Sequence, residues 1–356
     1  MNIRRLFSMF LLFAACSLQA ANIDLTRITA EMRSGLVVTT RTPRLGWQMI
    51  SSDNTEVQTS YELEVTNRIS GEMVFHTGKV QSEQSQLVKI KTLPVGDYNW
   101  RVRVWNKSDE PSSWSDKGRF IITNVKASFG ESRWIGAITK ADAHTPEGRI
   151  FHGSEMKKET VKAAWADSLS RKSIYVRTTF TSQQKKVKQA VVNICGLGLY
   201  ELSINGKKVG NSEFTPLISD YDKSVWYNTY DVTTLLQKGN NAIGVLLGNG
   251  FYNVQGGRYR KLLISFGPPT VRLQLTIHYE DGTSQTVASD KTWKYDFSPV
   301  TFNCIYGGED YDARQEQKGW NMAKFNDTLW NQVVVQEGPK GVLRPQIAAP
   351  VAIMEH

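Results

Sequence analysis

The chain has 356 residues, 40% of them hydrophobic and 22% charged, which suits a globular protein of two or three domains and excludes a disordered polymer. The formal charge is +9, but the Lys and Arg residues are scattered and some lie at the extreme N-terminus, so the balance argues against nucleic acid as a partner. Of the three cysteines, Cys16 falls in a leader segment; Cys195 and Cys304 read either as two buried thiols or as one disulfide in an oxidising compartment.

In chain order, residues 1–20 read as a signal peptide. Arg4 and Arg5 form a basic start, and Leu6 to Ala15 is an apolar run too short to span a bilayer. Leu18-Gln19-Ala20 supplies the small residue at a cleavage site. A second reading takes Phe13-Ala14-Ala15-Cys16 as a lipobox, with the product anchored through Cys16. Either one predicts an exported protein, periplasmic or extracellular. No later apolar run has the length of a transmembrane segment.

Residues 21–125 have the size and pattern of a fibronectin type III-like sandwich. Tyr61, Leu63 and Val65 alternate with Glu62, Glu64 and Thr66, the period of a half-buried strand. Tyr98, Trp100, Val102 and Val104 repeat it, with Arg101 and Arg103 on the other face. Trp47, Trp100 and Trp114 stand where such a core needs bulk. Residues 126–173 read as a linker or insertion, with a short helix predicted from Lys157 to Ser170. Residues 174–335 read as a second all-β block. Asn205-Gly206 and Asp281-Gly282 are hairpin turns, and Val271, Leu273, Leu275, Ile277 and Tyr279 form a clear alternating strand. Thr233 to Gln237 suits a single helical turn. Residues 336–356 are a proline-bearing tail. The fold class is therefore all-β, with tandem β-sandwiches, the second jelly-roll-like in the manner of carbohydrate-binding modules.

Several blocks resemble one family. Tyr98-Asn-Trp-Arg-Val-Arg-Val-Trp105 with Ser112-Ser113-Trp114-Ser115 is similar to the domain that opens bacterial α-L-rhamnosidases. Gly196-Leu-Gly-Leu-Tyr-Glu-Leu202, Ile204-Asn-Gly206, Asp220-Tyr221, Tyr227-Asn-Thr-Tyr-Asp-Val-Thr233, Leu247-Gly-Asn-Gly-Phe-Tyr252 and Gly308-Glu-Asp-Tyr-Asp-Ala-Arg314 resemble the next domain, in the same order. The resemblance implies that a further β-domain and an (α/α)6 barrel carrying the catalytic carboxylates follow. Arg344-Pro345-Gln346 resembles the entry to that next region. The chain is expected to stop before the barrel and to need that catalytic domain, in cis or in trans, as a partner.

Inverting hydrolysis needs two carboxyl groups about 6.5–9.5 Å apart across a sugar. Glu309, Asp310 and Asp312 are the dense acidic cluster, but an extended segment places Asp310 and Asp312 on one face and Glu309 on the other, which does not clamp a sugar. The histidines lack the spacing of a zinc site. The resemblance implies instead a rhamnose-binding module assisted by calcium, a metal that takes oxygen ligands. The matching positions are Asn205, Asp220 and Asn228 for the metal, and Asn205, Trp226, Asn249 and Tyr252 for the sugar, with Trp226 and Tyr252 as aromatic planes. The family's adjacent Asp-Asn pair is replaced here by Ile204-Asn205-Gly206, and Asn-Gly is also what a plain hairpin requires. The expected function is thus a non-catalytic module of an α-L-rhamnosidase, binding a rhamnose-containing glycan or supporting the barrel. The alternative is a protein-interaction scaffold. Solvent-facing Trp226 and Tyr252 favour sugar binding; burial of both favours a scaffold.

Overall fold

The computed structural model describes residues 22–139, 149–150, 169, 171–254 and 263–353. The signal peptide and the helix expected from Lys157 lie outside the described residues, apart from single positions. Among the described residues no helix is long and apolar enough to cross a membrane.

The first sandwich holds β1 (Asp24–Ala30), β2 (Leu36–Thr39), β3 (Leu45–Ile50), β4 (Ser60–Asn67), β5 (Met73–His76), β6 (Val80–Gln81), β7 (Gly96–Trp105) and β8 (Gly118–Ile122). β1 and β3 form one sheet; the other runs β2-β8-β7-β4-β5, with β6 also on β4. The alternating residues fill the gap: Tyr61, Leu63, Val65, Tyr98, Trp100, Val102 and Val104 are buried with Trp47 and Phe120. Burying a side chain of this size contributes roughly 1.5–3 kcal/mol. Glu62 is also buried, against the simple pattern, because Arg103 and His76 bind its two oxygens. Trp114 is not a core residue. It lies half-buried outside, where the Arg101 and Arg103 guanidinium groups stack on its ring at 4.4 and 4.8 Å.

A short helix, α1 (Val125–Phe129), is capped by the Asn124 side chain and leads to β9 (Trp134–Gly136) and β10 (Arg149–Ile150). The second sandwich continues with β11 (Ile174–Ser182), β12 (Val187–Leu197), β13 (Leu199–Ile204), β14 (Lys207–Lys208), β15 (Ser224–Asp231) and β16 (Gly239–Gly248). Then come β17 (Asn253–Val254), β18 (Leu263–Ser265), β19 (Thr270–Tyr279), β20 (Ser284–Ala288), β21 (Lys294–Phe297), β22 (Val300–Cys304) and β23 (Gly308–Tyr311). The last strands are β24 (Asn331–Gln332), β25 (Val334–Gln336) and β26 (Val342–Pro345). One sheet runs β14-β13-β16-β11-β21-β24 and its partner β25-β9-β19-β12-β15-β26, with β20 beside β19. The β19 residues Val271, Leu273, Leu275 and Ile277 pack between the sheets against Ile243, Val245 and Leu247 of β16. The one-turn helix expected near Thr233 is a 3-10 turn, Thr233–Leu235.

Two boundaries differ from the sequence expectation. Trp134–Gly136, read as linker, is an internal strand between β19 and β25. Val342–Pro345, read as tail, runs parallel to β15 at the edge of the same sheet. Both strands are too short to show a period, and their pairing partners are distant in sequence.

Candidate functional site

Among the residues singled out for sugar and metal, Asn205, Asn249 and Tyr252 are engaged in the fold. Asn205 and Gly206 have φ of +51° and +81°, the two positive values that a tight hairpin demands. The Asn205 Oδ1 accepts from the Ala242 amide, and its Nδ2 donates to Leu235 O and Asn241 Oδ1. Asn249 is buried, with Nδ2 donating to Arg171 O and Oδ1 accepting from Asn253. The glycines beside it are also explained by packing. Gly198 has φ of +113°, and a Cβ there would strike the Gly248 carbonyl. The Gly-Leu-Gly and Gly-Asn-Gly blocks therefore meet backbone to backbone.

Tyr252 is only 4% exposed, in an aromatic cluster with Tyr221 at 5.1 Å and Phe266 at 5.8 Å. Burial pushes its phenol up, and the hydroxyl donates to Phe266 O. Little of its ring is open to a sugar. Trp226 is half-buried on β15. The two aromatic planes are not exposed together.

The proposed calcium ligands do not converge. Asn205 serves the hairpin network just described. Asn228 Oδ1 accepts from the Tyr200 hydroxyl at 2.8 Å, and Asp220 holds Lys223 and the Asp222 amide. Each oxygen answers a different donor in a different part of the sandwich, so the three do not make the oxygen cage that calcium requires. Among the described residues no group of three or more His, Cys, Asp or Glu is arranged to hold a metal ion. Cys195 and Cys304 are both buried free thiols, so the disulfide alternative is set aside.

Part of the outer face of the six-stranded sheet is also covered. Trp320 stacks on Tyr175 at 4.0 Å, Asn321 donates to Ser203, and the Gly244 Cα faces both. Arg177, 1% exposed, fastens this segment through Asp327 and Met322 O. The acidic cluster is equally local: Asp312 accepts from Arg314 and Gln315, which hold its carboxyl well below the ordinary range. A general acid needs the opposite shift.

Several recesses are open among the described residues. One of about 500 Å3 is bordered by Tyr221, Tyr252 and Phe266; another, of about 350 Å3, lies between the two sandwiches. One wall is the turn and start of β2, with Met32, Arg33, Leu36 and Val38. The other is Tyr227–Tyr230 of β15 and the segment from Pro345 to Pro350. β26 pairs with β15 only as far as Tyr227, so residues 228–230 form a sheet edge facing the recess. Its polar lining is ordered: Tyr200 and Tyr230 hydroxyls lie 3.2 Å apart, and Gln346 Oε1 accepts from the Leu217 amide. Burial pushes the Tyr230 phenol up, against hydrogen bonds from Tyr200 and Ser212 that lower it.

Side-chain contacts join the two sandwiches. The Arg119 fork binds Asp97 at 2.7 and 3.1 Å and also reaches Asp231 of the second sandwich. Gln189 donates to Asp97, and the Tyr227 hydroxyl meets Ser128 of α1 at 3.0 Å. Of the residues proposed from sequence to hold sugar or metal, Asn228 alone lines this recess. Tyr230 and Gln346 lay within blocks carrying the family resemblance but were not singled out; Arg33 sits in a turn without any local signal.

Comparison with known proteins covers the same two units. Residues 25–124 match the family described as the Rha78A-like N-terminal immunoglobulin domain, and residues 185–355 match the α-L-rhamnosidase N-terminal domain. An α-L-rhamnosidase of Formosa agariphila is 34% identical over 348 residues, spanning 91% of this chain and 36% of that protein. One from an Alteromonas species is 28% identical, covering 87% and 32%. The structure of the α-L-rhamnosidase from Dictyoglumus thermophilum superposes with a TM-score of 0.74 at 31% identity, over 93% of this chain and 36% of that one. The Streptomyces avermitilis α-L-rhamnosidase complexed with L-rhamnose gives 0.76 at 22% identity, covering 94% and 47%, a likeness of fold. The chain spans about a third of the length of the curated relatives it matches.

Proposed function

The chain belongs, through these two domains, to the α-L-rhamnosidase family, and on that premise we propose that it is an accessory module that contacts the glycan, with hydrolysis carried elsewhere in such enzymes. The observation that carries this reading is the recess between the sandwiches. It is of the volume used for small ligands, lies at a domain junction, and presents an unpaired strand edge beside an apolar wall. A sugar ring needs that combination, since its hydroxyls seek hydrogen bonds and its C–H faces seek apolar surface. The junction around Arg119 keeps the walls in place before any ligand arrives, which lowers the ordering cost of binding. The reading of residues 1–20 as a signal peptide fits a protein that meets glycans outside the cytoplasm.

L-rhamnose is the first ligand to test, because the Streptomyces avermitilis enzyme was crystallised with it. Calorimetric titration of the folded chain is expected to give saturable heat that survives a chelator, since Asn205, Asp220 and Asn228 each answer a different donor. Asn228→Ala is expected to weaken it. No heat from folded protein would remove L-rhamnose as the ligand. On its own the chain is expected not to hydrolyse an aryl α-L-rhamnoside.

The burial of Tyr252 favours a second reading, in which the two locked sandwiches buttress the catalytic part and bind no sugar. That reading predicts no heat with L-rhamnose and a loss of enzyme stability when the junction is loosened.

A further inference from the structure

We propose that the recess between the sandwiches takes a carboxylated sugar, a uronic acid, whose carboxylate is received by Arg33. This rests on the glycan-contacting reading and adds the ligand class.

Arg33 is half-buried, and its guanidinium donates to two carbonyls, Gln346 O at 3.2 Å and Val38 O at 3.2 Å. Those bonds fix the plane of the fork across the junction. They use two of its five donors and supply no counter-charge. Several other guanidinium groups hold carboxylates, Arg44 with Glu31, Arg101 with Glu64, Arg103 with Glu62, Arg119 with Asp97 and Asp231, and Arg177 with Asp327, while Arg272 donates to Ser132 and lies over the Phe129 ring. Arg33 has no such partner among the described residues. Its neighbour Glu31 has both oxygens committed to Arg44. Half-burying this charge is costly: burial lowers the Arg33 pKa, and the Glu31 charge opposes that only in part. An anion in the recess removes that cost.

The remaining lining decides which anion. An arginine fork matches the two oxygens of a carboxylate. Around it stand groups suited to sugar hydroxyls: the Tyr230 hydroxyl, the Asn228 amide nitrogen, Ser212 and the free edge of β15. Met32, Leu36, Pro345 and Pro350 supply apolar surface for a pyranose face. A bare inorganic anion would use Arg33 and leave the other groups idle. A neutral hexose would use the others and leave the guanidinium unpaired.

The test is calorimetric titration of the whole chain at low salt with D-galacturonate, with D-galactose, which differs from it at one carbon, with sodium acetate and with L-rhamnose. Galacturonate is expected to bind at least about tenfold more tightly than galactose or acetate, and to weaken as salt is added. Arg33→Met is expected to abolish that preference. Arg33→Lys, which keeps the charge without the fork, is expected to retain part of it and guards against a folding failure of the first variant. Equal binding of galacturonate and galactose would overturn the uronate assignment and leave the glycan reading standing. Acetate binding as well as galacturonate would overturn the sugar part of the assignment. Silence from all four ligands with folded protein would overturn both.

Discussion

Arg119 of the first sandwich pairs with Asp231 of the second while its fork grips Asp97 of its own domain at 2.7 Å. One guanidinium therefore joins two sheets that share no backbone ladder. Replacing it with Met leaves the buried Asp97 carboxylate without its partner, and the expected loss is about 3 kcal/mol. Asp231→Asn, at the more exposed end, should lose about 1 kcal/mol or less. Denaturant unfolding of both variants measures this. An unchanged midpoint for Arg119→Met would show that the junction is held by something else.

The same junction predicts an acid response. Burial alone would raise the Asp231 carboxyl, but hydrogen bonds from Thr233 and the Arg119 guanidinium carry it below its ordinary value. A carboxyl depressed in the folded state contributes stability that is present above the unfolded pKa, about 3.9, and is lost as pH falls through the folded value. Melting temperature should thus hold from pH 7 to about 5 and fall below pH 4. The fall should be smaller in Asp231→Asn.

Gly198 offers a backbone test. With φ of +113° and the Gly248 carbonyl where a Cβ would go, Gly198→Ala meets both torsional strain and a clash. Gly282, at φ of +85° in the β19–β20 turn, faces open space. Gly282→Ala should cost about 1–2 kcal/mol and Gly198→Ala distinctly more. Comparable losses would mean that the Gly198 contact relaxes easily.

Cys195 should be chemically silent in the native protein. Its Sγ is fully buried, donates to Trp226 O, and burial pushes its thiol up, so little thiolate is available. Thiol labelling followed by peptide mapping should find Cys195 unmodified until denaturant is added.

Much of the fold was legible because its cores follow local periods. The alternation at Tyr61–Val65, Tyr98–Val104 and Val271–Tyr279 each marks a strand whose inner face is buried as expected. Asn205-Gly206 was legible as a turn from the φ values its residues tolerate. The candidate site was far less so. Asn205, Asn249 and Tyr252 looked chemical because polar and aromatic residues in a resembling block can do either job, and the sequence does not say whether an amide is already satisfied. The recess depends on Arg33 meeting Gln346 O, 313 residues away, and no local pattern encodes such a contact.

Hydrogen exchange with and without a rhamnose–uronic acid oligosaccharide tests the central claim most directly. Glycan contact at the junction predicts slowed exchange at residues 228–230 and 345–350, with no change at the 205–206 hairpin or around 249–252. Protection confined to those two loops would contradict it and return the site to the residues first marked by sequence.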